Sequence, residues 1–581
     1  MNNIYVGDFE TTYQNNIARV WLSAIVNIYN LDEIYYPLNI DDFFDKLYDI
    51  SPNIIFFHNL KFDGMYILDY LLRNNYKYTD NKKLGINEFN CLISDDGIFY
   101  SINICNPKNN KKIQIWDSLK IYNFSVSEIA KIFKMDTLKG DIDYTKVRDI
   151  DYVPDENEYK YVKHDVLIVA KAIKTFIEQG YDKMTIASNA MKKFKSYYSK
   201  KEFEYMFPSL TIDEDNFCRK AYKGGFTYLN PKFQEKDIRC GVVYDMNSMY
   251  PYTLYYKPMP IGKPKYFIGK PPKDKLFIIK IHCDKFTVKN DYIPTIQLKN
   301  SLAFVPTEYI KEASDIDLIL TSIDYKLFLE HYDVENCDEI EGYYFEQCDE
   351  LFRDYIDEYM KIKMTTKGGE RQIAKLFLNG LYGKFGTRID KIKKIPYYDK
   401  EKNIVMFKLS QPEMSFSQYI PIAAFVTSYA RDNIIRNAQM CYDRFIYCDT
   451  DSLHLKGFDI PNIPIDDVKL GYYKRESSFN RGYYIRSKTY IENSRKIIKN
   501  KYRLKIKDRE LKLDCITHEV DVKCCGMPKN IAKTKVNFDN FKMGNSFSGK
   551  LRPVTVTGGV VLEETDFTIK NQKTIDKRKM L

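Results

Sequence analysis

The chain has only 2 Trp among its 581 residues, and none of its 12 Cys falls in a C-x-x-C pair. That spacing excludes a zinc-finger or zinc-ribbon framework, and with Cys524 and Cys525 adjacent it offers no disulfide scaffold either. A reducing cytoplasm is the expected compartment. No apolar run approaches the ~20 residues needed to span a bilayer, and the N-terminus lacks the charged-then-apolar pattern of a secretory signal. No membrane partner is therefore expected. Internal repeats and long disordered tracts are also absent.

What is present is an ordinary soluble balance, 44% hydrophobic and 29% charged, on which 49 Tyr and 36 Phe are superimposed. Aromatics interleaved with lysine suit a surface that stacks bases and neutralises phosphates, and an AT-rich coding sequence would enrich the same residues. The formal charge of +10 favours a polyanionic partner. At ~150 residues per domain, the length suggests about four domains.

Residues 1 to about 185 alternate strand-like runs (Ile4 to Val6, Ile54 to Phe57, Ile113 to Trp116) with helical patterns at Met65 to Leu72 and Tyr159 to Phe176, as expected of an α/β domain. The stretch 208 to 230, with Pro208 and Gly224-Gly225, reads as a connection. From about 257 to 350, short strands are expected between Pro258, Pro260, Pro264, Pro271-Pro272 and Pro294. Two helices joined at Gly368-Gly369 should fill 351 to 386, and a polar-tipped hairpin should follow, Ile395 to Tyr398 against Ile404 to Leu409. Helix returns at Ile422 to Arg436, and the last sixty residues are basic and β-prone, with a turn at Gly558-Gly559.

The chemistry concentrates in acids. In Phe445-Ile446-Tyr447-Cys448-Asp449-Thr450-Asp451-Ser452, two carboxylates alternate with one small residue after an apolar run. On a strand or over a tight hairpin both face one side, where at about 4 Å they repel by roughly 4 kcal/mol at an effective dielectric of ~20. A divalent cation is the usual relief. A second apolar strand, Gly241 to Tyr244, ends in Asp245-Met246-Asn247-Ser248-Met249-Tyr250-Pro251 and adds a third carboxylate. Three acids from two strand ends suit a two-metal site for in-line phosphoryl displacement.

Between them, Arg371, Lys375, Asn379 and Tyr382 fall on one helical face, with Leu376, Phe377 and Leu381 expected on the buried side. Such a face would hold a triphosphate at its cationic end and a base or sugar against Tyr382, and Lys363 would reach the same phosphates. Near the N-terminus, Asp8 and Glu10 are expected just after a strand, flanked by Thr11 and Thr12. Asp63, in His58-Asn59-Leu60-Lys61-Phe62-Asp63, and Asp165, one helical turn after Tyr161, complete a second acidic set. Together these match a two-metal phosphodiesterase site, with Tyr161 orienting the attacking water, Lys139 neutralising the scissile phosphate and Asp141 as a further carboxylate.

Two acidic sites in this order, with a lysine and tyrosine helix between the strands of the second, resemble a family B DNA polymerase with proofreading. More narrowly, the chain resembles the protein-primed replicative polymerases of small phages with linear genomes. The resemblance places Asp8, Glu10, Asp63, Tyr161 and Asp165 in three exonuclease motifs, and 138 to 144 in an added lysine motif. Tyr222-Lys223-Gly224-Gly225 resembles the linker that balances synthesis against degradation, and Lys488-Thr489-Tyr490 resembles the pair that grips the primer end. Thr11, Asn59, Phe62, Tyr66, Ser118, Leu119 and Tyr144, with His58, are similar to residues that hold a frayed single strand. Met249 and Arg371 stand where leucine and lysine are usual, and both keep the character of the site.

The resemblance implies an RNase H-like 3′-to-5′ exonuclease domain at 1–185. It continues with palm at 186–256 and 418–522, a first terminal-protein region at 257–350, fingers at 351–386, a second terminal-protein hairpin at 387–417 and thumb at 523–581. It further implies two Mg²⁺ per site, with Mn²⁺ as an alternative. Asp245, Asp449, Asp451 and the Met246 carbonyl would hold the first pair, and Asp8, Glu10, Asp63 and Asp165 the second. Tyr250 would exclude a 2′-hydroxyl. Implied partners are template and primer DNA, deoxynucleoside triphosphates and a separate terminal protein, the enzyme acting as a monomer or 1:1 heterodimer in the host cytoplasm. A linear-plasmid polymerase, a nuclease alone and a non-enzymatic single-strand binder are the rival readings.

Overall fold

The computed structural model describes residues 3–135, 142–143, 146–297, 309–415, 418–506 and 509–570, with backbone only for 496–506 and 509–515. The N-terminal part is built on a mixed eight-stranded sheet. Its order is Asn30–Tyr35, Ile17–Asn27, Ile4–Gln14, Ile54–Phe57, Lys112–Asp117, Phe99–Cys105, Glu88–Ile93, Lys77–Tyr78. The strand Ile54–Phe57 is apolar throughout because both faces of this sheet are covered. Ile55 and Phe57 pack under helices Ile40–Ile50 and Leu60–Arg73, while Phe56 packs with Val162 and Val166 of helix Glu156–Glu178. A capping box, in which Asp155 and Glu158 exchange bonds, starts that last helix.

The first strand runs on to Gln14, so Asp8 and Glu10 lie within it rather than after it. Its register against Ile17–Asn27 shifts between Glu10 and Thr11, and such an irregularity re-aims the side chains beside it.

The second eight-stranded sheet is antiparallel and ordered Arg509–Cys524, Thr489–Ile506, Tyr473–Arg486, Gly241–Met246, Ser452–Lys456, Phe445–Asp449, Thr227–Leu229, with Asp237–Ile238 also pairing to Tyr473–Arg486. Helix Pro421–Met440 is buried along most of its length beneath it. The stretch expected as a mere connection holds helix Ile212–Ala221 and the strand Thr227–Leu229. A Thr211–Glu214 capping box nucleates the helix, a T-x-x-E signature visible in the sequence.

The region 257–350 is not a set of short strands. It forms a four-stranded antiparallel sheet, Met259–Ile268, Tyr332–Cys348, Leu276–Val288, Glu312–Thr321, with strands of up to 17 residues and helix Ser322–His331. Of its described prolines, Pro260 and Pro264 sit on the edge strand, where the register against Tyr332–Cys348 shifts between Ile261 and Lys265, and Pro258, Pro271, Pro272 and Pro294 lie outside the strands. Helices Arg353–Thr365 and Gly368–Phe385 and the hairpin Lys394–Asp399 with Ile404–Leu409 occur as expected.

One apolar cluster runs from Trp21 and Val162 through Phe377 to Phe425, so the two halves share a core. The second hairpin packs against the N-terminal part, with Val405 in its core and Phe407 edge-on to Phe99. The C-terminal hairpin, Ser546–Val556 and Gly559–Thr568, also docks there. Thr557 O accepts from Ala18 N at 2.8 Å, and Tyr66 donates to Val560 O at 2.6 Å. At its turn Gly558 and Gly559 have φ of 87° and 157°, and a Cβ on Gly558 would stand 2.0 Å from Ala18 O. Only glycine fits there.

Candidate active sites

The second sheet places its site side chains in one transverse row. Asp449 pairs with Thr227 on one side and Ser452 on the other; Ser452 pairs in turn with Asp245, and Asp245 with Lys474. Residues opposite one another across strands share a face, so Thr227, Asp449, Ser452, Asp245 and Lys474 project together. Asp451 lies in the hairpin turn beside them, its carbonyl bonded by Met246 N at 2.9 Å. Thr450, between the two acids, has φ 63°, and its N–H is held by Phe226 O at 2.7 Å.

Asp449 accepts from Lys488 Nζ at 2.8 Å on both oxygens, from Thr227 Oγ1 at 3.1 Å and from Tyr447 OH at 3.2 Å. Lys474 Nζ lies 3.3 Å from Asp245. Asp451, which has no ammonium partner among the described residues, is pushed up to about 6 by burial and then by Asp245. Burial also raises Asp245, against the pull of Lys474.

Facing this row, helix Gly368–Phe385 exposes Arg371, Lys375 and Asn379 and leaves Tyr382 half-buried, as the spacing predicted. The buried side is Ile373, Ala374, Phe377, Leu378 and Leu381; Leu376, expected there, is only half-buried. Tyr382 stacks on Tyr250 with ring centres 4.2 Å apart, and the side of Gly383 opens on empty space. Lys363 Nζ donates to Ser248 Oγ at 2.8 Å. Lys363 and Lys375 are both pulled below the usual lysine range, by burial first and then by neighbouring cations. Crowded, partly desolvated cations of this kind are relieved by a polyphosphate.

The linker touches the acidic turn directly. A Cβ on Gly225 would stand 2.7 Å from Thr450 Oγ1. Arg431, buried in helix Pro421–Met440, donates to Lys223 O at 2.9 Å and Gly224 O at 2.8 Å, and is itself held by Asp324 at 2.6 Å. The ring of Tyr222 lies against Gly386. Tyr490 packs its ring on Tyr447, Tyr484 and His454 beneath Lys488.

In the N-terminal sheet, Asp8, Glu10, Thr11, His58, Asn59, Phe62, Asp63, Tyr161 and Asp165 line one cavity of about 380 Å³. Burial and then Asp8 push the Asp63 carboxyl well up. Thr11 and Phe62 also line an adjoining cavity of about 700 Å³ that runs past Tyr66 to Leu551 and Val560 of the C-terminal hairpin. Ser118 is buried, bonding Phe57 O and His58 Nδ1, so it stands behind the surface as a support for His58; Leu119 is half-buried next to it. Lys139, Asp141 and Tyr144 lie outside the described residues.

The chain was compared with known proteins. The family model described as DNA polymerase type B, organellar and viral, matches residues 46–154 and 149–470. The DNA polymerase of Bacillus phage M2 is 42% identical over 580 residues, covering 97% of this chain and 99% of that one. The DNA polymerase of Bacillus phage phi29 is 42% identical over 585 residues, covering 98% and 99%. The solved phi29 DNA polymerase in complex with primer-template DNA superposes with a TM-score of 0.89 at 40% identity, over 98% of this chain and 100% of that one.

The chain belongs to the type B DNA polymerases. It is a DNA polymerase whose mixed α/β fold sets an exonuclease domain before a polymerase domain with two insertions. In the polymerase, reading the sequence missed Lys474, Glu476 near Asp451, and the Arg431–Asp324 clamp on the linker. It also missed Asp117, which accepts from Asn59 N at 3.0 Å and fixes that residue's left-handed backbone, φ 73°. None has a local motif; register and tertiary contact bring them in.

The family depends on divalent metal. Among the described residues, no three ligating side chains already gather about one point. The donor set nevertheless fits a hard cation, since it is all oxygen and since burial and like charge hold Asp451 and Asp63 above the usual carboxylate range.

Proposed function

We propose that this polymerase is a protein-primed replicative enzyme of a linear phage genome, copying DNA with strand displacement and correcting it by 3′-to-5′ exonuclease action. The row Thr227–Asp449–Ser452–Asp245–Lys474, facing the Arg371–Lys375–Asn379–Tyr382 helix, is the observation that carries the reading. Solved phi29 polymerase complexes with primer-template DNA and incoming nucleotides support DNA and deoxynucleoside triphosphates as partners. The terminal protein, the preference for Mg²⁺ and the host cytoplasm belong to the same proposal. No described helix is long and apolar enough to cross a membrane.

Asp245, Asp449 and Asp451, with the Met246 carbonyl, would hold two Mg²⁺ ions. Bound there, the metal lowers the pKa of the attacking hydroxyl and shields the leaving pyrophosphate. Lys363, Arg371 and Lys375 bind the triphosphate, and the Tyr250–Tyr382 stack gives the sugar a wall with no room for a 2′-hydroxyl. Lys488 transfers from Asp449 to the primer end, where Tyr490 supports it.

In the exonuclease cavity, Asp8, Glu10, Asp63 and Asp165 form the second carboxylate set, with Tyr161 orienting water. The adjoining channel past Tyr66 receives the frayed strand. We assign exonuclease to 1–185, palm to 186–256 and 418–522, the terminal-protein regions to 257–350 and 387–417, fingers to 351–386 and thumb to 523–581. The second hairpin, bridging fingers and exonuclease domain, closes round the downstream template and wedges the displaced strand.

Extension of a singly primed circle with deoxynucleotides and Mg²⁺, without helicase or clamp, tests the reading. Product many circle lengths long is expected. Synthesis that stops after one turn removes strand displacement from the assignment. Transfer of a labelled nucleotide to the co-encoded terminal protein tests priming separately.

A further inference from the structure

The first insertion carries two thiols that nothing in polymerisation uses. Cys283 and Cys337 are direct cross-strand partners on Leu276–Val288 and Tyr332–Cys348, their sulfurs 3.4 Å apart. Directly opposed residues of an antiparallel pair have Cα atoms about 4.5–5.5 Å apart, inside the range of about 4.4–6.8 Å that a disulfide spans. Closing the sulfurs to a bond of about 2.05 Å then needs side-chain rotation and no movement of the sheet. The two thiols are also unequal. Cys283 is fully buried, whereas Cys337 is half-exposed.

We propose that Cys283 and Cys337 form a reversible dithiol–disulfide site, in which Cys337 attacks a small-molecule disulfide and Cys283 resolves the adduct. The hydrogen bond from Cys283 holds the Cys337 thiol below the usual range, and the same bond, with burial, pushes Cys283 up, which agrees with those roles. The Cys337 thiolate attacks one sulfur of the oxidant, whose S–S bond breaks and whose other half leaves as a thiolate and takes up a proton. Cys283 then gives up its proton and attacks the Cys337 sulfur, forming the protein disulfide and expelling the second small thiol. Two protein thiols are oxidised and one small disulfide is reduced to two thiols. In a reducing cytoplasm the pair rests as the dithiol.

The test uses the full-length polymerase, reduced, treated with oxidised glutathione, alkylated and mapped by peptide mass spectrometry. The expected product is a Cys283–Cys337 cross-link that has lost two hydrogens and is reversed by dithiothreitol, while buried Cys218 and Cys448 stay free. A glutathione adduct persisting on Cys337, or both thiols remaining free, overturns the proposal. Cys283→Ser should trap glutathione on Cys337, and Cys337→Ser should leave Cys283 unmodified; an adduct on Cys283 reverses the assigned roles. The wild-type map decides the matter even if a variant fails to fold.

Discussion

Replacing Asp451 by Asn should stabilise the metal-free polymerase while ending its synthesis. The carboxyl titrates at about 6 against an ordinary 3.8, because burial and then Asp245 disfavour its charge. Ionising it in the folded chain therefore costs about 3 kcal/mol more than in the unfolded chain. Water on its partly exposed side lowers that toward about 1–2 kcal/mol. The sign follows from a folded pKa raised above the unfolded one. The stabilising contribution of the protonated acid is complete below about 3.8 and is lost as pH rises through about 6.

Asparagine cannot ionise, so in chelator the advantage of Asp451→Asn should be small at about pH 4, grow as pH rises, and level off above about pH 6 to 7. Thermal or urea unfolding across that range measures it. Adding Mg²⁺ should reverse the ranking, stabilising the wild type more than the variant. A pH-independent difference, or an Asn variant less stable than wild type at about pH 8 in chelator, refutes the reasoning.

Lys375→Ala removes a charge-assisted contact of about 1.5–3 kcal/mol, so the KM for deoxynucleotides should rise about 10- to 150-fold in steady-state extension. An unchanged KM would place the triphosphate elsewhere. The double change Asp8→Ala with Asp63→Ala should abolish degradation of single-stranded DNA and raise misincorporation while extension of a matched primer continues. Gly225→Ala forces a Cβ to 2.7 Å from Thr450 Oγ1, an overpacking cost of about 1–3 kcal/mol borne by the turn between the two acids. Extension should slow with exonuclease rate on single strands retained, and a variant with both rates unaltered would show that the linker does not govern the turn.

Asp8, Glu10, Asp245, Asp449 and Asp451 were legible because each stands at the end of, or within, an apolar β-prone run, Asp165 because it follows Tyr161 by one helical turn, and the helix from Arg371 to Tyr382 because its polar residues repeat at helical spacing. The hairpin at Lys394–Asp399 and Ile404–Leu409 declared itself through its polar tip. What could not be read depends on register. Lys474 reaches Asp245, and Cys283 meets Cys337, only because strands far apart in sequence pair with one particular alignment. The insertion misled for a related reason: prolines signal breaks, yet the edge strand of a sheet accommodates them.

The hydroxyl of Tyr66 and the carbonyl it bonds are 494 positions apart, and the Gly558-Gly559 turn seals the same seam. At a ribosomal pace of about 5–20 residues per second, Tyr66 is made roughly half a minute to a minute and a half before the segment that covers it. During that wait the patch around Phe62 and Tyr66 faces solvent without its lid. Nascent chains should accordingly lean on chaperones until release, and a fusion at the carboxyl end would hold this last joining step close to the ribosome exit for longer.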